Sequence, residues 1–356
     1  MKNITKCLIS SIALACSALP AMACTGISLT ARDGSYVQAR TIEWSKGPLA
    51  SSYVIIPRGE ALRSFTPKGN DGMSWKAQYG VVGLAVVEKE FIAEGINEAG
   101  LSAGLFFFPR YGGYVTYDSM QNDITVADLQ LVQWMLTQCA TIDEVKSALN
   151  KIKVVGLERS AVVHWRIGEP SGRQVVLEIV DGEPHFYDNT VGVLTNAPGF
   201  KWHLANLCNY INLHAGDAPN QTLGTQQLMP LGGSSAMLGL PGDFTPPSRF
   251  VRAAFFRNTA PARNNGIDTA LECFHILNNF DVPIAVENPD EKQLPSATQW
   301  TSAIDLVTRR VYYKTAYNNS IRCIDLRSIN FDKVKYQSHP LDKEQTQPIE
   351  MIAIED

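Results

Sequence analysis

From residue 25 onward the hydrophobic positions first recur with a period of two. Ile27, Leu29 and Ala31 are interleaved with Ser28 and Thr30, Asp33-Gly34 makes a turn, and residues 36–40 return. This pattern predicts a β-hairpin over 25–40. Strands are also predicted at 52–57, 81–87 and 91–94, and, past a turn at Asn97-Glu98-Ala99-Gly100, at 101–108. The period then changes. Thr125 and Asp128 make a capping-box pattern ahead of Leu129, Val132, Leu136 and Cys139, and Thr141 with Glu144 repeats it ahead of Val145, Ala148, Leu149 and Ile152. Two adjacent helices are expected there. Strands resume at 161–167 and 174–180, joined by 168–172, and again at 191–195. Helices are expected at 202–211, 249–257 and 268–279, and late strands at 301–305, 310–314 and 321–325. Blocks of strands separated by helices, with no regular βαβ alternation, indicate an α+β chain of packed sheets with helices on the outer faces. Residues 216–242 are loop-rich, a candidate lid or assembly arm.

The first residues follow a different pattern. Lys2 and Lys6 precede an apolar run over 7–18, Pro20 interrupts it, and Ala21-Met22-Ala23 is a small-x-small cleavage site. Residues 1–23 therefore read as a secretory signal peptide, too short in its apolar part to span a bilayer. The expectation is an exported, periplasmic protein, with secretion beyond the periplasm left open, and one domain over 24–356. The 356 residues are 45% hydrophobic and 19% charged, with a formal charge of −4. That composition excludes a disordered or fibrous chain and argues against a general nucleic-acid grip. No later stretch has the apolar length of a membrane span.

Cleavage after Ala23 would leave Cys24 as the first residue. A thiol and a primary amine would then share one residue, and an α-amino group titrates at about 7.7–8.0, close to working pH. It can take the thiol proton, so one residue supplies nucleophile and base. The competing reading is a lipid-anchored, ligand-binding envelope protein whose cysteine is acylated. Lipidation usually follows a leucine-like residue three positions earlier, where Ala21 stands here. Cys139, Cys208, Cys273 and Cys323 bring the remaining cysteines to an odd number without CxxC spacing, so at least one free thiol is expected.

Other motifs carry less. There is no HExxH and no GxxxxGK[ST]. Gly232-Gly233-Ser234-Ser235-Ala236 lacks the last glycine of a nucleophile elbow and reads as a flexible loop. His164 reads as a structural histidine, and Cys139 and Cys273 as small core residues on helical stripes. Phe106-Phe107-Phe108 is either a core strand or the wall of an apolar pocket.

Five segments in order carry a resemblance. They are Cys24-Thr25-Gly26, Arg40, Glu94-Gly95-Ile96-Asn97-Glu98-Ala99-Gly100-Leu101, Leu194-Thr195-Asn196-Ala197-Pro198 and Pro247-Ser248-Arg249-Phe250. The series resembles the choloylglycine hydrolase family of bile salt hydrolases and penicillin V acylases, N-terminal nucleophile hydrolases with a four-layer αββα sandwich. The resemblance implies Cys24 as nucleophile with its amine as base. It also implies Arg40 beside the thiol, Asn196 in the oxyanion hole and Arg249 as a second active-site arginine. Glu43 stands where the family usually has aspartate, and Phe106 where it has a polar residue after Ala-Gly-Leu. A phenyl ring cannot donate to an oxyanion, so the hole would rest on Asn196 and a backbone N–H.

The implied substrate is a small amide, first a bile acid conjugated to glycine or taurine, with penicillin V or another N-acyl amide as alternatives. Ile42, Trp44, Phe106, Phe107 and Phe108 are candidates for its apolar wall. No metal or organic cofactor is implied. The family's usual assembly implies a homo-oligomer, often a tetramer, with residues 216–242 as the candidate subunit contact.

Overall fold

The computed structural model describes residues 24–44, 49–158, 162–283 and 297–354. The leader expected over 1–23 and the strand start expected at 161 lie outside the described residues. In chain order the strands of the two main sheets are β1 (Cys24–Thr30), β2 (Tyr36–Trp44), β3 (Ser51–Ile56), β4 (Val81–Val86), β5 (Ile92–Asn97), β6 (Ser102–Phe107), β7 (Val163–Gly168), β8 (Gln174–Val180), β9 (Glu183–Asp188), β10 (Val193–Leu194), β11 (Ala297–Asp305), β12 (Arg310–Thr315), β13 (Asn318–Asp325) and β14 (Gln337–Pro340). A six-stranded sheet has the order β10-β1-β2-β11-β12-β13 and an eight-stranded sheet the order β9-β8-β7-β6-β5-β4-β3-β14. The main helices are α1 (Leu131–Gln138), α2 (Ile142–Leu149), α3 (Phe200–Leu207), α4 (Pro246–Thr259) and α5 (Gly266–Leu277). Helix α1 lies on β5 and β6, while α4 packs on β1 and α5 on β2 and β11. The result is the αββα sandwich, with its main core between the sheets and under the helices. Among the described residues no helix is long and apolar enough to cross a membrane.

Two differences from the sequence reading have physical causes. The helix expected behind Thr125 and Asp128 begins only at Leu131. Thr125–Ala127 is instead a short strand parallel to Lys153–Val155, and the buried Asp128 carboxylate accepts from the N–H groups of Leu129 and Leu157. A tertiary partner strand overrides the capping signal. At α2 the same signal acts locally: Thr141 Oγ1 accepts from the Glu144 N–H at 3.2 Å, and Glu144 accepts from the Ala140 N–H at 2.7 Å. The edge strands β9 and β14 escape a hydrophobicity search because they are largely polar, partly exposed and contain Pro184 and Pro340. Residues 216–242 carry an exposed hairpin, Gln221–Leu223 with Gln226–Leu228, and leave Met229, Leu231 and Leu238 in solvent.

Candidate active site

Cys24 opens β1, buried at 1% exposure, directly opposite Ile42 of β2, and Gly26 stands opposite Arg40. Alternation along β2 turns Arg40 and Ile42 toward the second sheet, and Thr41 and Glu43 toward the helices. Gly26 is required by close approach. A Cβ there would sit 2.7 Å from the Phe106 ring and 2.9 Å from Arg166, so any larger residue would push the Cys24 strand off the sheet beneath it.

Arg40 acts as a wedge. The β5–β6 ladder stops at Glu94↔Gly104. Beyond it the two strands part, and the Arg40 Nη1 donates to both freed carbonyls, Ala93 at 2.9 Å and Leu105 at 2.5 Å. Its guanidinium lies 4.1 Å from the Phe106 ring centre and 3.6 Å from Glu94. Glu94 in turn pairs with Arg166 at 3.1 Å, and Arg166 donates to the carbonyls of Ile27 and Ala39. All three charged side chains are buried. Gly104 makes room for this carboxylate, since a Cβ there would fall 2.1 Å from Glu94 Oε2.

The parted strands leave the main chain of Phe107 free of the β5 ladder, and both of its polar groups serve the site. Its carbonyl accepts from Asn196 Nδ2 at 2.9 Å. Its N–H donates to the Cys24 sulfur. Burial pushes the thiol up from its ordinary value, Arg40 pulls it down, Glu43 adds to the rise, and Arg249 and the Phe107 N–H oppose it.

The nitrogen of Cys24 is held on the other side. It donates to Asn196 Oδ1 at 2.9 Å. Arg249 Nη2 donates to the same oxygen at 2.7 Å, while its Nη1 reaches the Cys24 carbonyl at 2.5 Å and Thr25 Oγ1 at 2.9 Å. Arg249 is in the first turn of α4, which starts on Pro246-Pro247 behind Thr245. Proline there lacks only an N–H that the helix start would leave unpaired, so the proline pair aims Arg249 at the β1 terminus.

Glu43 completes the cluster. Its Oε1 accepts from Thr298 Oγ1 at 3.2 Å. Burial raises its pKa from 4.5 to about 7, opposed by Arg249, Thr41, Arg40 and Thr298. The sign for stability follows directly. The folded chain holds this proton to higher pH than the unfolded chain, so the contribution is full below about pH 4.5 and is lost as pH rises through about 7. The stability difference between the parent and Glu43→Gln, which cannot titrate, should therefore shift against the parent by on the order of 2 kcal/mol between pH 5 and pH 8. Denaturant melts at both pH values measure it, and a difference independent of pH would remove the assignment.

The structure thus brings Cys24, Arg40, Glu43, Asn196 and Arg249 together at one end of β1. The apolar candidates divide. Ile42 and Phe106 are fully buried between the sheets, Phe107 and Phe108 are buried at the end of β6, and Trp44 is half-buried at the end of β2. Phe106 packs between Arg40 and Arg166. The group that faces the thiol is the Phe107 main chain, which residue-type reasoning about Phe106 missed. Glu94, Arg166 and Thr298 were also missed as site residues, and Glu94 had a signal in its motif. Elsewhere in that motif Asn97 binds the carbonyls of Leu136 and Cys139, and Glu98 pairs with Arg58, so these positions build the turn. Cys24, Cys139, Cys208, Cys273 and Cys323 are all free thiols.

Residues 24–338 match the family model for linear amide C–N hydrolases of the choloylglycine hydrolase family. The chain belongs to that family. It is an enzyme, a hydrolase of linear amide C–N bonds. It is 33% identical over 330 residues to the bile salt hydrolase/transferase of Clostridium perfringens (strain 13 / Type A), covering 90% of this chain and 97% of that one. Among solved structures, a Cys→Ala variant of the conjugated bile acid hydrolase from Clostridium perfringens superposes with a TM-score of 0.78. It is 31% identical, and the match covers 93% of this chain and 100% of the other. A penicillin V acylase from Agrobacterium tumefaciens gives a TM-score of 0.70 at 23% identity, covering 87% and 88%, a likeness of fold. The choloylglycine hydrolase resemblance drawn from five short segments therefore extends through nearly the whole chain.

Proposed function

We propose that this choloylglycine hydrolase family member is a bile salt hydrolase that cleaves the amide between a bile acid and glycine or taurine. In this reading it is exported and processed, and works through Cys24 as the first residue of the mature chain. The observation that carries the mechanism is the double hold on Cys24, with its nitrogen on Asn196 and its sulfur near Arg40 and the Phe107 N–H. The substrate reading is supported by the likeness to bile salt hydrolases at 33% identity over most of both chains.

The steps follow from these groups. The free amine of Cys24 takes the thiol proton as sulfur attacks the amide carbonyl. The carbonyl oxygen gains the negative charge, and the second hydrogen of Asn196 Nδ2 and the Phe107 N–H, released from the sulfur, serve it. The C–N bond then breaks, and the ammonium returns its proton to the leaving nitrogen, freeing glycine or taurine. Water, giving its proton to the same amine, attacks the thioester. The C–S bond breaks, the thiol regains its proton, and the bile acid leaves. Arg40 and Arg249 favour the sulfur's negative charge, and Glu43 orients the ammonium form.

Product assays on glycocholate, taurocholate and penicillin V, with the mass of the mature N-terminus, test the proposal. Expected are release of glycine or taurine and an unmodified Cys24 terminus. Turnover of penicillin V with none of the bile salts would make the chain a penicillin V acylase. An acylated Cys24 would overturn the mechanism.

A further inference from the structure

Asn196 stands just past the end of β10, where the six-stranded sheet no longer supplies partners for its backbone. Two buried histidines supply them instead. His164 Nε2 meets the Thr195 carbonyl at 3.1 Å, and His203 Nε2 meets the Asn196 carbonyl at 2.8 Å. A carbonyl only accepts, so each Nε2 carries the proton. The rings are fixed by stacking: His164 lies 4.3 Å from Phe108 with 7° between planes, and His203 lies 4.5 Å from Phe250 with 9°. One carboxylate links the two. Glu178 Oε1 contacts His164 Nδ1 at 3.3 Å and accepts the Phe200 N–H at 2.7 Å, at the start of the helix that carries His203. The three side chains come from β7, β8 and α3; the two histidines bond the peptides on either side of the Asn196 side chain, and Glu178 braces His164 and the start of α3.

We propose that His203, His164 and Glu178 are positioning residues that set the Asn196 amide for the oxyanion. This rests on the reading of Asn196 as an oxyanion donor given above. None of the three touches the reacting atoms. A donor preorganised toward the developing charge is worth far more than a mobile one, and this backbone lacks a ladder to fix it.

The test uses processed protein with glycocholate, or penicillin V if that is the compound turned over. His203→Phe keeps a ring on Phe250 and removes the donor, whereas His203→Gln keeps an N–H. We expect His203→Phe to lower kcat about 10–100-fold with KM within about twofold, and His203→Gln to recover most of it. Alkylation of the Cys24 peptide by iodoacetamide, read by mass, should be unchanged in His203→Phe. Asn196→Ala should lower kcat about 100–1,000-fold, and adding His203→Phe to it should cost under about threefold more. Unchanged kcat in folded His203→Phe, or an equal loss in both backgrounds, overturns the positioning role alone. Unchanged kcat in Asn196→Ala removes the oxyanion reading and this proposal with it. Should His203→Phe not fold, Glu178→Gln carries the test. About a 3–10-fold loss of kcat that vanishes in the Asn196→Ala background supports the role, and persistence of the loss overturns it.

Discussion

Cys24→Ser should lower kcat by about 10⁴-fold or more while leaving the fold and its melting curve in place. The oxygen of serine is far less acidic than sulfur, and the cations nearest the thiol, Arg40 and Arg249, cannot take a proton. In the proposed mechanism the base is the Cys24 nitrogen itself. One extra residue retained ahead of Cys24 should therefore cause a comparable loss, because it turns the amine into an amide with no basic lone pair. The two variants separate the roles: the first removes the nucleophile and leaves an amine, the second keeps the thiol and removes the base. Release of glycine from glycocholate, with penicillin V as second substrate, reads both. Activity of Cys24→Ser within about tenfold of the parent would remove the nucleophile assignment.

Glu94→Leu should destabilise the fold by about 3–5 kcal/mol, read as a fall in the denaturant midpoint at fixed protein concentration. Glu94 is the buried counter-charge of both Arg40 and Arg166. The carbonyls of Ala93, Leu105, Ile27 and Ala39 also accept from these guanidiniums. They are dipoles and balance only part of two unit charges. Adding Arg166→Met to Glu94→Leu should recover part of the loss, since one uncompensated charge leaves with it. A single-variant loss under about 1 kcal/mol would mean that the carbonyls alone suffice. Arg40 thus has two tasks. It parts β5 from β6, which frees the Phe107 main chain for the site, and it faces the sulfur. The first task needs Glu94.

The strands and helices with a clear period are legible from residue order. β8 spans Gln174–Val180 as expected, and the hairpin around Asp33-Gly34 forms with Asp33 accepting the Ser35 N–H. Failures cluster where a distant segment competes. Thr125 carries a helix-start signal, but its backbone pairs with Lys153. The edge strands β9 and β14 are held by neighbours and have no hydrophobic signature of their own.

The candidate site divides in the same way. Residue order alone determined that Cys24 follows an apolar stretch ending in Ala21-Met22-Ala23, that Arg40, Asn196 and Arg249 occur in ordered motifs, and that helices and strands alternate in blocks. Those properties depend on residue type, local period and spacing. Only the tertiary structure decided that β5 and β6 part around Arg40, that the Phe107 backbone rather than a Phe106 side chain faces the sulfur, and that two histidines from different layers hold the peptides of Asn196. Every residue has an N–H and a C=O, so no residue name reveals which ones a sheet leaves unpaired. That depends on where a ladder ends, and the ladder ends where a side chain from the opposite sheet enters it.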